Sequence, residues 1–284
     1  MNRSETMEMI SRHKLQPTRS LGQNFLVDDR VIDMAVSAAA PDADTLVLEI
    51  GPGLGGLTRA LAPNSGHVLA IEIDRYVLPA LQEVVSPFSN VEILHADATQ
   101  VDFTSLTNSW LRQGKALKVA ANLPYYITSP LVEKLLSELP HLLSLTLMVQ
   151  KEAAERLAAI PGSKLYGPVA ILTACFGTVR KLARVPAASF YPKPHVDSVL
   201  IQIQRQSNGL PAADGKAFLS FLNDCFARRR KTLLNSLGDA GWTHEKRNTV
   251  RQILSDLKLA ENARPEHIQP FDYARMYHLI KGKK

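Results

Sequence analysis

The sequence predicts an α/β fold, a mostly parallel sheet covered by helices on both faces, with a small all-helical module after it. Three observations predict this. From about residue 45 to residue 204, short apolar runs alternate with helical patterns, the order that builds βαβ units. Crossovers in such units are right-handed, which places helices on both faces of the sheet. Beyond Gln204 the alternation stops and only helical patterns remain.

The elements follow in order. The first 15 residues carry no usable pattern and are expected to be disordered. The chain is then polar to about residue 30, where it passes through LGQNFLVDD into a helix over 30–40 closed by Pro41. TLVLEI (45–50) is an apolar run ending in glycines, and LTRALA (57–62) is helical. HVLAIEID (67–74) and YVLPALQEVV (76–85) form the second strand and helix. NVEILHAD (90–97) is the third strand. KALKVAAN (115–122) is the fourth, and SPLVEKLLSEL (129–139) is the helix after it. LLSLTLMVQ (142–150) and KEAAERLAA (151–159) make the next pair, and SVLIQIQ (198–204) alternates as a final strand. RQSNGLPAADG (205–215) has linker composition. The expected domains are therefore 1–208 and 209–284.

Composition narrows the class. Apolar residues make up 45% of the 284 and charged residues 21%, which is ordinary for a globular chain. The longest apolar run, LLSLTLMV, has strand length and is too short to span a bilayer. The polar N-terminus lacks an apolar signal core, so a cytoplasmic location is expected. Cys175 and Cys225 are expected to be buried thiols, and no spacing of metal ligands occurs. The net charge of +6 is unevenly spread. Residues 1–204 hold 18 Lys/Arg and 19 Asp/Glu, whereas residues 205–284 hold 15 and 8. A basic terminal module on a near-neutral body points to a polyanionic partner. Arg228, Arg229, Arg230 and Lys231, in a stretch read as beginning or crossing a helix, are its candidate phosphate contacts.

The loop EIGPGLGGLT (49–58) joins a strand to a helix. Gly51, Gly53 and Gly56 fit GxGxxG, while Gly51, Gly53 and Gly55 equally fit the ExGxGxG loop of S-adenosylmethionine enzymes. Either way the glycines let backbone approach a ligand at a helix N-terminus. The carboxylates discriminate. Glu72, at the end of the second strand, suits ribose hydroxyls of either cofactor. Asp97, ending the third, suits an adenine N6 amine. Glu49 would repel a pyrophosphate but suits a ligand carrying an ammonium and a sulfonium. Acids at three strand ends favour S-adenosylmethionine over NAD, and no proton-transfer residue for hydride chemistry is placed.

The fourth strand ends in NLPYYIT (122–128). Ligands sit beyond the carboxyl ends of strands in open sheets. An adenine N6 amine is a poor nucleophile because its lone pair is delocalised into the ring. Two acceptors, the Asn122 side-chain oxygen and a backbone carbonyl at Leu123 or Pro124, would pull that nitrogen toward sp³ geometry, and Tyr125 would offer a ring for the base to stack on. This resembles the N6-adenine methyltransferases. RSLGQNFL (19–26), EIGPGLGGLT, IEID (71–74), HADA (95–98), NLPYYIT, SFYPKPHVDS (189–198) and ARRRKTLLNSL (227–237) are together similar, in order and spacing, to the bacterial small-subunit ribosomal RNA adenine dimethyltransferases.

That resemblance covers about residues 16–280. It implies a Rossmann-like class I methyltransferase sheet and, as substrate, two adjacent adenines in the terminal hairpin loop of small-subunit ribosomal RNA. By it the cofactor site is Asn24, Leu26, Gly51, Glu72, Asp97 and Asn122, joined by Glu49 and Gly53 from the loop itself. Phe190 would cover the base face opposite Tyr125. The partner is the small ribosomal subunit, with a monomeric enzyme. The alternatives are a large-subunit RNA adenine methyltransferase, disfavoured by SFYPKPHVDS and ARRRKTLLNSL, and an RNA-binding assembly factor, disfavoured by the complete NLPY and cofactor acids.

Overall fold

The structure is a computed structural model and describes residues 1–18, 22–124, 127–206 and 214–282. In chain order it begins with α1 (Arg3–Arg12), β1 (Phe25–Leu26) and α2 (Asp29–Ala39). The alternation follows as β2 (Thr45–Ile50), α3 (Gly56–Leu61), β3 (His67–Glu72), α4 (Leu78–Val85), β4 (Val91–His95), α5 (Phe103–Arg112), β5 (Ala116–Asn122), α6 (Thr128–Glu138), β6 (Leu142–Gln150) and α7 (Lys151–Leu157). Next come α8 (Pro168–Phe176), β7 (Gly177–Val185), β8 (Phe190–Tyr191) and β9 (Ser198–Arg205). The remainder is helical: α9 (Gly215–Cys225), α10 (Leu233–Asp239), α11 (His244–Asp256) and α12 (Pro270–Gly282).

Seven strands form one sheet in the order β4-β3-β2-β5-β6-β9-β7, with helices on both sides as the alternation predicts. β2, β3, β4, β5 and β6 run parallel, and β9 is antiparallel to β6. β2 and β3 alternate least in polarity and are almost wholly buried, as central parallel strands must be. After β2 the chain passes to β3 on one side, and it later returns to β5 on the other. That reversal opens a crevice at the carboxyl ends of the strands. The glycine loop follows β2, Glu72 closes β3, Asp97 lies just past β4, and Asn122 closes β5. The topology thus brings together residues spread over 74 positions.

The chain falls into two compact units. One comprises Met1–Leu131, His141–Ala154 and Thr178–Arg205, and the other Val132–Pro140, Glu155–Gly177 and Gln206–Lys284. The boundary expected at 208/209 lies outside the described residues, and the second unit also takes in two earlier segments. Its interior is aromatic. Tyr166 and Tyr273 are fully buried, and their hydroxyls donate to the Ile268 and Pro265 carbonyls at 2.7 Å each. Both cysteines are buried free thiols, and burial pushes Cys175 up to about 12.

Disorder over the first 15 residues is not what the structure shows. α1 starts with a capping box, in which the Glu5 N–H donates to Asn2 Oδ1 and the Asn2 N–H to Glu5 Oε2. Arg59 pairs with Glu5, and Arg12 and His13 both meet Glu83. The N-terminal ammonium donates to Asp29 Oδ1 at 3.0 Å. Met1 and Met9 are buried with Phe25, Leu54, Val77 and Ala80. The apolar residues that order this segment are few, and their partners are distant in sequence, which is why no periodicity announced it.

Candidate active site

A cavity of about 210 Å³ opens in the crevice between the ends of β2, β3, β4 and β5. Its wall includes Asn24, Leu26, Glu49, Gly51, Gly53, Glu72, Asp97, Asn122, Leu123 and Pro124. Every expected cofactor residue is therefore on one cavity.

The glycine loop is shaped by its neighbours. Gly51 has φ +68 and Gly53 φ +57, in the region L side chains avoid. Gly53 has a steric reason too, since a Cβ there would come within 2.9 Å of the Phe25 ring. Its N–H donates to Glu72 Oε2 at 2.9 Å, and the Asp74 N–H donates to Glu72 Oε1 at 2.9 Å. Glu72 thus clamps the loop while each oxygen keeps a lone pair for a ligand hydroxyl. Burial, more than its neighbours, pushes its carboxyl above the ordinary value.

Glu49 is 1% exposed, and burial drives its carboxyl up to about 8, with the Glu72 charge adding to the rise. Its Oε2 has no hydrogen-bond partner among the described residues. A buried carboxylate oxygen facing a cavity without a donor is costly unless a ligand supplies one. Asp97 spends Oδ1 on the Thr99 N–H and hydroxyl, at 2.8 and 2.7 Å.

Asn122 is oriented by contact across 98 residues. Its Nδ2 donates to the Asn24 carbonyl at 2.9 Å, and Asn24 Nδ2 donates to the Gly22 carbonyl at 2.9 Å. With the amide nitrogen committed, Asn122 Oδ1 is the acceptor left for a substrate. The Pro124 carbonyl accepts from the Ile127 N–H and the Thr128 hydroxyl, both at 3.3 Å. Leu123 is therefore the better placed of the two expected carbonyl donors of a lone pair. Tyr125 lies outside the described residues.

Two expectations need correction. Phe190 does not line the cavity. It pairs with Leu26 through β8 and β1, is 1% exposed, and is packed in the core with Val31, Ile32 and Leu57. The basic stretch 228–231 does not begin or cross a helix but forms the turn between α9 and α10. There Arg229 donates to Glu266 Oε2 at 2.8 Å, to the Ser163 carbonyl at 2.6 Å, and to the Lys164 carbonyl. Arg228 and Lys231 both approach Asp239, at 3.6 and 2.8 Å. Arg230 is exposed and has no such partner among the described residues. Arg230→Ala is therefore expected to lower affinity for RNA and reduce its salt slope by about 1 without altering stability. Arg229→Ala is expected to destabilise the segment around Ser163 by about 1–3 kcal/mol through orphaned carbonyls and an unpaired Glu266. Hydrogen exchange of residues 160–166 and salt-dependent RNA binding check the two.

The cavity also uses Met1, which no motif indicated, and Gln23, Phe25 and Ile73, which lie in RSLGQNFL and IEID but were given no role from the sequence. Gln23 Nε2 donates to Asp74 Oδ2 at 2.6 Å and its Oε1 accepts from the Thr18 N–H at 2.8 Å, tying the segment before β1 to the end of β3. The GQN run was the one signal that marked this neighbourhood.

Comparison with known proteins follows this geometry. The family model for ribosomal RNA adenine dimethylase matches residues 14–281. A ribosomal RNA small subunit methyltransferase A of Natranaerobius thermophilus is 38% identical over 98% of this chain and 96% of its own length. One of the same name from Pelotomaculum thermopropionicum is 43% identical over 82% and 81%. The crystal structure of a dimethyladenosine transferase from Plasmodium falciparum superposes with a TM-score of 0.72 and 26% identity, covering 91% of this chain and 98% of that one.

Proposed function

This chain belongs to the ribosomal RNA adenine dimethylase family, and from that premise we propose that it transfers methyl groups from S-adenosylmethionine to N6 of two adjacent adenosines in the 3′-terminal hairpin loop of small-subunit ribosomal RNA. The products are N6,N6-dimethyladenosines, and the partner is the small ribosomal subunit. The observation that carries the chemistry is the acceptor Asn122 Oδ1, fixed beside the cavity by the Asn24 carbonyl.

The residues fit the cofactor. Glu72 and Asp97 each keep acceptor capacity for ribose hydroxyls and an adenine amine, and Glu49 Oε2 lacks a donor that a cationic ligand would provide. Bound there, S-adenosylmethionine supplies an electrophilic methyl group. The protein then holds the nucleophile. Asn122 Oδ1 and the Leu123 carbonyl take the two N6–H bonds of an adenine turned out of its stack, and the nitrogen lone pair is aimed into the cavity. Tyr125 stacks on the base. The nitrogen becomes strongly acidic once alkylated, so its proton leaves to solvent without a strong side-chain base.

The test is mass spectrometry of ribosomal RNA after small subunits lacking the modification are incubated with the chain and cofactor. Two adjacent N6,N6-dimethyladenosines are expected in the terminal hairpin. Modification confined to large-subunit RNA would overturn the assignment.

A further inference from the structure

The Gln23 side chain stands between the two halves of the candidate site. It is half-buried on the cavity wall, and both ends of its amide are committed. Oε1 accepts from the Thr18 N–H at 2.8 Å, and Nε2 donates to Asp74 Oδ2 at 2.6 Å across 51 residues. These partners fix the amide. Turned over, it would set an N–H against the Thr18 N–H and a lone pair against a carboxylate.

Asp74 is 6% exposed, and its other oxygen accepts from the Tyr76 N–H at 2.9 Å. Among the described residues Gln23 is the one side chain that donates to it. A buried carboxylate keeps its place only where donors meet its oxygens. The Asp74 N–H donates in turn to Glu72 Oε1 at 2.9 Å, while the Gly53 N–H holds Glu72 Oε2 at 2.9 Å. On the other side, Gln23 precedes Asn24 in the chain, and the Asn24 carbonyl accepts from Asn122 Nδ2 at 2.9 Å. β3 and β5 are separated by β2 in the sheet, so no ladder between them sets Glu72 relative to Asn122. One side-chain amide therefore links the carboxylate that ends β3 to the acceptor that ends β5.

We propose that Gln23 is a positioning residue of the methyl transfer, which holds Asn122 Oδ1 in register with Glu72 and so aligns the adenine nitrogen with the cofactor. The inference rests on the reading that Asn122 holds the target adenine and Glu72 the cofactor. Gln23 acts through Asp74 and Asn24 and takes no part in bond-making. The same contacts have a plainer use, as a clip that only keeps the segment before β1 folded, and the experiment separates the two.

Gln23→Glu keeps the shape of the side chain but sets a carboxylate against Asp74. Asp74→Asn also keeps its shape but sets an N–H against Gln23 Nε2, because the Tyr76 N–H holds the remaining oxygen. In the double variant Gln23→Glu, Asp74→Asn the contact is rebuilt with its direction reversed, the new amide at 74 donating to the new carboxylate at 23, and the net charge is that of the wild type. Single-turnover methylation of unmodified small subunits is measured at saturating cofactor and RNA, with calorimetric affinity for S-adenosylmethionine and thermal melting beside it. Each single variant is expected to lower the single-turnover rate by about tenfold or more and to weaken the cofactor by about threefold or more. The double variant recovers both to within about threefold of the wild type. In an Asn122→Ala background, Gln23→Glu lowers the rate by no more than about twofold, because the acceptor it positions is already gone, while its effect on cofactor affinity persists.

Single variants with wild-type rate and cofactor affinity and only a lowered melting temperature would overturn the proposal. So would a double variant as impaired as the two single losses combined, or a full loss from Gln23→Glu in the Asn122→Ala background. Small subunits left unmethylated by the wild-type chain would sink the functional reading instead, and the calorimetric swap would still decide whether Gln23 positions Glu72.

Discussion

Replacing Asn122 by Ala is expected to lower kcat by about 10²–10³, the usual loss for one preorganised group that meets charge developing in the transition state. The Asn122 oxygen gains strength as N6 turns tetrahedral, so its removal costs the transition state more than the ground state. Affinity for the hairpin and for S-adenosylmethionine should change little. The vacated Asn24 carbonyl faces the cavity and can be hydrated there. Asn122→Asp should not rescue, because a carboxylate has no N–H to give the Asn24 carbonyl and loses the orientation that this contact imposes. Single-turnover kinetics with saturating RNA measures the effect. Lost RNA binding with turnover intact would make Asn122 a docking group.

The second large effect is a pH dependence of cofactor binding set by Glu49. Its carboxyl is pushed up to about 8 by burial. A cationic ligand favours the ionised form, so below that pH binding must expel a proton. Affinity for S-adenosylmethionine should therefore fall by up to about tenfold per pH unit well below 8, or about 50-fold between pH 8 and pH 6. The same shift has a sign for the empty protein. Its folded value lies above the unfolded one, so the contribution of Glu49 to stability is fully present below about 4.5 and is lost as pH rises through about 8. The cofactor should thus raise the melting temperature more at pH 8 than at pH 6. Glu49→Gln is the control, because it removes the titrating group while the ligand's own ionisation stays the same. Calorimetry over this range should show a steep profile for wild type and a much flatter one for Glu49→Gln. Parallel profiles would remove Glu49 from the site.

Much of the site was legible before the structure because its parts sit at strand ends. β2, β3, β5 and β6 are buried parallel strands, and such strands read as continuous apolar runs whose last residues are easily located. Glu49, Glu72 and Asn122 were placed at those ends from pattern alone, and the structure puts each on the cavity. β7 was not legible. As the outermost strand it exposes Thr178, Arg180, Lys181 and Arg184, so GTVRKLARV has no buried stripe to betray it. The two-residue β1 and β8 are too short for any periodicity, and α8 is apolar on nearly every side and so has no face to read.

The sequence by itself determined the alternation of buried strands and helices from β2 to β6, the glycine loop and the acids at the strand ends. Each is written in contiguous residues, where spacing and chemistry suffice. Only the tertiary structure decided which way Asn122 points, because the Asn24 carbonyl that holds its amide is 98 residues away. It alone placed Phe190 in the core, through a pairing with Leu26 separated by 164 positions. It also assigned Arg229 to Glu266 and to the carbonyls at 163 and 164, and Arg228 to Asp239, leaving Arg230 as the member of the run without such a partner among the described residues. A local pattern states what a residue is able to do. Whether its polar atoms are already committed depends on partners that folding brings from far along the chain.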